Sequence, residues 1–135
     1  MPPKVRVYLY TATHPPGGRT TGEHKIQLIV PGQDRGQRGD FDYSDGRIVL
    51  LAGYEPELDV FILWDAGLYR DFSYSRNVQV KAETVYTAFA GRIGRQMRKL
   101  RKVGGETVIA ARSGKLGDAI VERMTYTLRR LTERS

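Results

Sequence analysis

Three residues in the middle of the chain have the types and spacing that metal-assisted hydrolysis uses. Asp59 stands near the head of the apolar run Leu58-Asp-Val-Phe-Ile-Leu-Trp-Asp65, and twenty residues after Asp59 comes Gln79-Val-Lys81, inside the strand-like segment 77–81. A strand sends alternate side chains to opposite faces, so Gln79 and Lys81 project from one face and Val78 and Val80 from the other. If strand 58–64 lies beside strand 77–81, Asp59 converges on that pair. A carboxylate, an amide oxygen, a backbone carbonyl and an ammonium then surround one point. Hard oxygen ligands of this kind suit Mg2+, which keeps several waters and takes one or two protein carboxylates. A lysine beside a metal-bound water can orient it or help to deprotonate it. The plainer reading makes Asp59 the start of a strand, with Gln79 and Lys81 polar residues on a half-exposed face.

The elements that must hold these residues follow from hydrophobic period. Val5–Tyr10 and Lys25–Val30 are short, rich in β-branched and aromatic residues and bounded by Pro/Gly clusters, which predicts two strands. Arg47–Ala52 and Leu58–Asp65 are near-continuous apolar runs of strand length, the pattern of central strands covered on both faces. Between them and the second strand, residues 33–46 are polar, glycine-rich and without period. They read as a long loop or flap, expected to be mobile alone and ordered on a ligand. After Lys81 the period lengthens to about four. Val85, Phe89, Ile93, Met97 and Leu100 form an apolar stripe, predicting a basic helix over 83–102 that Gly104-Gly105 ends. Glu106–Arg112 is a further strand, and Leu116, Ile120, Met124, Leu128 and Leu131 mark a second amphipathic helix capped by Ser113. The prediction is one α/β (α+β) domain over 1–135, with a mixed central sheet, a β-rich N-terminal half and two C-terminal amphipathic helices.

The Asp59, Gln79 and Lys81 pattern resembles the PD-(D/E)xK superfamily of metal-dependent nucleases, which includes restriction endonucleases. There an Asp begins one strand, Glu-x-Lys or Gln-x-Lys lies on the next, and a helix follows. The resemblance implies a restriction-endonuclease-like core over 47–132, with residues 1–46 as a β-rich extension. It further implies Mg2+ held by Asp59, Gln79 and the residue-80 carbonyl, with Lys81 at the attacking water. Gln79 replaces the usual second carboxylate, and the family's opening helix has strand-like residues in its place.

Charge points the same way. The chain has 135 residues, 22 Lys and Arg against 15 Asp and Glu, and a net charge of +7. Residues 92–135 hold twelve of those basic residues against four acidic ones. Such a field favours polyanions, nucleic acid first among them. On the expected helix and the 33–46 loop, Arg35, Arg38, Arg92, Arg95, Arg98, Lys99, Arg101 and Lys102 are the candidate phosphate contacts. Trp64, Tyr69, Phe72 and Tyr74, with Arg70 and Arg76 between them, would serve base stacking or core packing equally. The absence of cysteine removes disulfides, thiolate catalysis and Cys-based metal sites. Without a run of about 20 apolar residues, the chain is expected to be soluble and cytoplasmic with no membrane partner. His14 and His24 lack zinc spacing, and Asp40–Leu51 departs from a calcium loop at its glycine and its last position.

Two functions remain open on this reading. One is Mg2+-dependent DNA cleavage. The other is a non-catalytic DNA reader, for instance of modified bases, attached to a restriction-modification or defence system. The partners expected are DNA and either a second copy or a restriction or modification subunit. A protein–protein adaptor is the third class.

Overall fold

The apolar runs of the middle of the chain become the centre of a five-stranded mixed sheet in the computed structural model, which describes residues 4–13, 23–100 and 104–133. Its strands are β1 (Val5–Thr11), β3 (Ile48–Glu55), β4 (Val60–Trp64), β6 (Gly94–Leu100) and β7 (Gly104–Arg112), in the order β1-β3-β4-β7-β6. β1 runs parallel to β3 and the other pairs are antiparallel. A second, two-stranded antiparallel sheet joins β2 (Glu23–Leu28) to β5 (Arg76–Lys81). Helices α1 (Ala82–Phe89) and α2 (Leu116–Glu133) complete a mixed α+β domain, with the first 46 residues supplying a strand to each sheet.

The hydrophobic patterns explain the layering. β3 and β4 are apolar on both faces because both are covered. On one face Leu51, Ile62 and Trp64 meet Ile26, Leu28, Val78 and Val80 of the small sheet and Val85 and Ala88 of α1. On the other, Ala52, Leu63, Ile109 and Ala111 meet Ala119 and Ile120 of α2. Gly53 lets the small sheet come close, since a Cβ there would stand 2.8 Å from Ile26 Cγ2 and 3.1 Å from the Trp64 ring.

Two sequence expectations are corrected. The basic helix over 83–102 is a helix only to Phe89. Gly91, in the left-handed region at φ 98°, turns the chain, and β6 then pairs with β7 from Gly94↔Ala110 to Leu100↔Gly104. The expected stripe splits with it, for Val85 is buried while Met97 is 72% exposed. Strand 58–64 also does not lie beside strand 77–81. β4, apolar on both faces, is enclosed between β3 and β7, whereas β5 alternates and pairs with β2 in the other sheet.

The 33–46 segment is tied down along its length. Gln33 Oε1 accepts from Val30 N at 3.1 Å, Gly39 bridges Phe72, and Phe41 is buried between Tyr8 and Phe72. Ion pairs Arg6–Asp42, Arg70–Asp40 and Arg38–Asp71 fasten its rim.

Candidate nucleic-acid interface

Asp59 sits in the tight turn joining β3 to β4, in the left-handed region at φ 53°, where Asp is tolerated better than most residues. Glu55 Oε2 accepts from Leu58 N at 2.7 Å and closes the turn. The Asp59 carboxylate accepts from the Tyr54 hydroxyl at 2.9 Å and the Ser113 hydroxyl at 2.6 Å, with Arg112 Nε 3.9 Å away. The Ser113 bond, then the Tyr54 bond, holds its pKa below the usual carboxylate value. Ser113 is accordingly not a helix cap. It opens a short 3-10 turn before α2 and spends its hydroxyl on Asp59.

Gln79 and Lys81 lie elsewhere. Both are exposed on β5, and Val78 and Val80 are buried beneath them, as the alternation predicts. Trp64 Nε1 donates to the Gln79 carbonyl at 3.1 Å, which places β5 against the Trp64 end of β4, away from the Asp59 turn. Asp59 therefore does not meet Gln79 and Lys81 at one point. The Mg2+ that the nuclease resemblance implies does not fit the three residues as placed, and no group of three His, Cys, Asp or Glu able to hold a metal occurs among the described residues.

What Gln79 and Lys81 do share is the outer face of a ribbon. Residues registered across an antiparallel pair face the same way. Gln79 pairs with Lys25, Lys81 with Glu23, and Asn77 with Gln27, while Ile26, Leu28, Val78 and Val80 all point into the core. The outer face thus carries Lys25, Gln27, Asn77, Gln79 and Lys81 with one carboxylate, Glu23. Lys25, Gln27 and Asn77 were not singled out from the sequence. Their alternation with His24, Ile26 and Leu28 was visible, but it gave no sign of which strand β2 would join.

At the Leu28–Arg76 end of the ribbon, two turns face each other across an open groove of about 520 Å3, lined by Arg35, Arg38 and Tyr74 among others. Gly36 at φ 88° and Ser75 at φ 62° shape these turns, and Ser75 N donates to the Leu28 carbonyl at 3.0 Å. Arg38 Nε meets Asp71 at 3.2 Å with both side chains well exposed. Of the four expected stacking aromatics, Trp64, Tyr69 and Phe72 are buried in the core, and Tyr74 is in the groove.

The remaining basic candidates divide. Arg92 is exposed in the turn before β6. Arg95 makes a two-pronged ion pair with Glu122 of α2, at 2.7 and 2.6 Å. Arg98 donates to the Gln79 carbonyl. Lys99 belongs to β6, and Arg101 and Lys102 lie outside the described residues.

A family model described as Methylase-associated X1 matches residues 3–120. No curated protein and no solved structure matches the chain.

Proposed function

The chain belongs to the methylase-associated X1 family, and from that premise we propose that it is a DNA-reading domain of a restriction-modification system, working beside the methylase. The observation that carries this reading is the outer face of the β2–β5 ribbon. The major groove of B-DNA, about 12 Å wide, admits a two-stranded ribbon whose strands stand about 4.8 Å apart. Asn and Gln amides bond adenine N6 and N7 in pairs, and Lys bonds guanine O6 and N7. Gln27, Asn77 and Gln79 with Lys25 and Lys81 are that set of side chains, displayed on one face. Arg35 and Arg38 at the ribbon's end supply phosphate contacts that fix its register. Adenine N6 and cytosine N4, two positions that methylation alters, face the same groove. The ribbon accordingly reads methylation state along with sequence.

Cleavage is the second reading, and its three residues, Asp59, Gln79 and Lys81, stand apart in this fold. One experiment separates the two. Purified protein is titrated with a duplex library, methylated and unmethylated, in EDTA, and a plasmid is incubated with the same protein and Mg2+. Reading predicts sequence-selective, methylation-sensitive binding without metal and an intact plasmid. Metal-dependent nicking that Asp59→Asn abolishes would overturn it in favour of the nuclease.

A further inference from the structure

On the face of the large sheet opposite the ribbon, β3, the Trp64–Gly67 turn and the C-terminal half of α2 enclose a cavity of about 420 Å3. That is within the range of small-ligand sites, roughly 300–1,000 Å3. Its apolar walls are Ile48 and Leu50 on one side and Leu128 and Leu131 on the other. Leu128 and Leu131 are 62% and 53% exposed, so this wall stands open to whatever enters.

The polar part of the lining is strongly cationic. Arg47, Arg70, Arg123 and Arg130 line the cavity against a single acid, Asp65. Asp65 is saturated: it accepts from Arg130 Nε at 2.6 Å, from Arg130 through a second nitrogen at 3.1 Å, and from Gly67 N at 3.1 Å. Arg70 meets Asp40 at 3.0 Å and stacks over Tyr43, 5.3 Å from the ring centre, at the cavity's rim. Among the described residues, Arg47 and Arg123 each have a buried Nε without a hydrogen-bond partner. Arg123 is itself 3% exposed, with its other nitrogens directed to the Thr107 carbonyl and toward Asp65. A buried donor left unmade is costly, and an arginine donor is met best by an anionic oxygen of carboxylate or phosphate type.

We propose that this cavity binds a nucleoside monophosphate, with its base between Leu50 and Leu128 and its phosphate on Arg47. The flat apolar base covers the open leucine wall, and Tyr43 offers an aromatic edge beside it. The phosphate brings anionic charge to a lining of four arginines that holds one carboxylate. The excess positive charge disfavours a cationic ligand such as the sulfonium of adenosylmethionine, so this is not a methyl-donor site. The ligand is either a free nucleotide or the 5′ end of a strand.

The test is calorimetric titration of the full chain with AMP, adenosine, inorganic phosphate, adenosylmethionine and a 5′-phosphorylated single-stranded oligonucleotide. AMP should bind at least about tenfold more tightly than adenosine or phosphate alone. Binding of the oligonucleotide at the level of AMP assigns the site to strand ends, and weaker binding assigns it to free nucleotide. Arg47→Gln and the surface change Leu128→Asp should each lower AMP affinity about tenfold or more. Both should leave duplex binding by the ribbon unchanged, so loss of this site is distinguishable from loss of DNA reading. No heat with AMP up to about 5 mM, phosphate binding as well as AMP, or adenosylmethionine binding better than AMP would each overturn the proposal.

Discussion

Changing Gln79→Glu sets the reading ribbon directly against a metal site. The side chain is exposed on β5, and the strand is held through its backbone, where the Gln79 carbonyl accepts from Trp64 Nε1 at 3.1 Å and from Arg98. The substitution should therefore leave folding stability within about 0.5 kcal/mol of the wild type. On DNA it removes a two-pronged amide–base contact, worth about 1–3 kcal/mol, or roughly 5- to 150-fold in affinity at the cognate base. A carboxylate about 8 Å from a phosphate adds about 0.5 kcal/mol of repulsion at the dielectric of water, and salt reduces it. Mg2+ affinity should not rise. Asp59 precedes Val60 and Trp64 adjoins β5, so the length of β4, about 13 Å at 3.3 Å per residue, separates the two carboxylates. One Mg2+ with ligands at about 2.1 Å cannot join them. The assay is fluorescence anisotropy on cognate duplex in EDTA, with Mg2+ titrated separately by calorimetry. Undiminished DNA binding together with a gain in Mg2+ affinity would refute the ribbon and restore the convergent site.

Arg35→Ala with Arg38→Ala should weaken binding to all sequences alike and reduce the slope of log K against log[salt] by about 2. The exposed Arg38–Asp71 pair contributes too little for stability to confuse that measurement. Asp59→Ala should lower the midpoint of urea unfolding, because the Tyr54 and Ser113 hydroxyls lose their acceptor and alanine fits φ 53° poorly, while DNA affinity in EDTA stays unchanged. Glu106 carries a pH signature, since burial raises its pKa against the opposing hydrogen bonds from Tyr69 and Asp65 N. Its contribution to stability is fully present below the ordinary glutamate value of 4.5 and is lost as pH rises through the folded value. Wild-type stability should therefore gain on that of Glu106→Gln as pH falls from 7 toward 4.5, and a constant difference would contradict the burial argument.

The parts of the fold legible in the sequence were those set by local period. β3, β4 and β7 announced themselves as apolar runs, and α2 as a repeat at helical spacing that begins at Leu116 in both the reading and the structure. β5 was read correctly down to which side chains face outward. Strand pairing was illegible, because an alternating strand states which face is polar and not which neighbour it joins. The convergence of Asp59 on Gln79 and Lys81 depended on that missing information. The basic helix failed for a different reason. Val85, Phe89, Ile93 and Met97 fit a helical stripe, but Gly91 and Gly94 lie within it. Gly91 takes a positive φ, and a Cβ at Gly94 would strike the Thr84 carbonyl where β6 passes under α1.

Charge was legible in amount and illegible in place. Residues 92–135 hold twelve of the 22 basic residues, which made this segment the natural surface for a polyanion. In the folded chain several of them are turned to internal use. Arg95 grips Glu122, Arg98 and Arg123 donate to backbone carbonyls, and Arg130 holds the buried Asp65. An arginine already bonded within the protein must break that bond to reach a phosphate, at little cost in an exposed pair such as Arg38–Asp71 and at greater cost where the partner is buried, as Asp65 is for Arg130. Among the described residues, the cations facing outward beside the ribbon's amides are Lys25 and Lys81, with Arg35 and Arg38 at its end, none of them from the last third of the chain. On the proposed reading, placement relative to a groove-sized element, more than the count of positive residues, decides where DNA meets this domain.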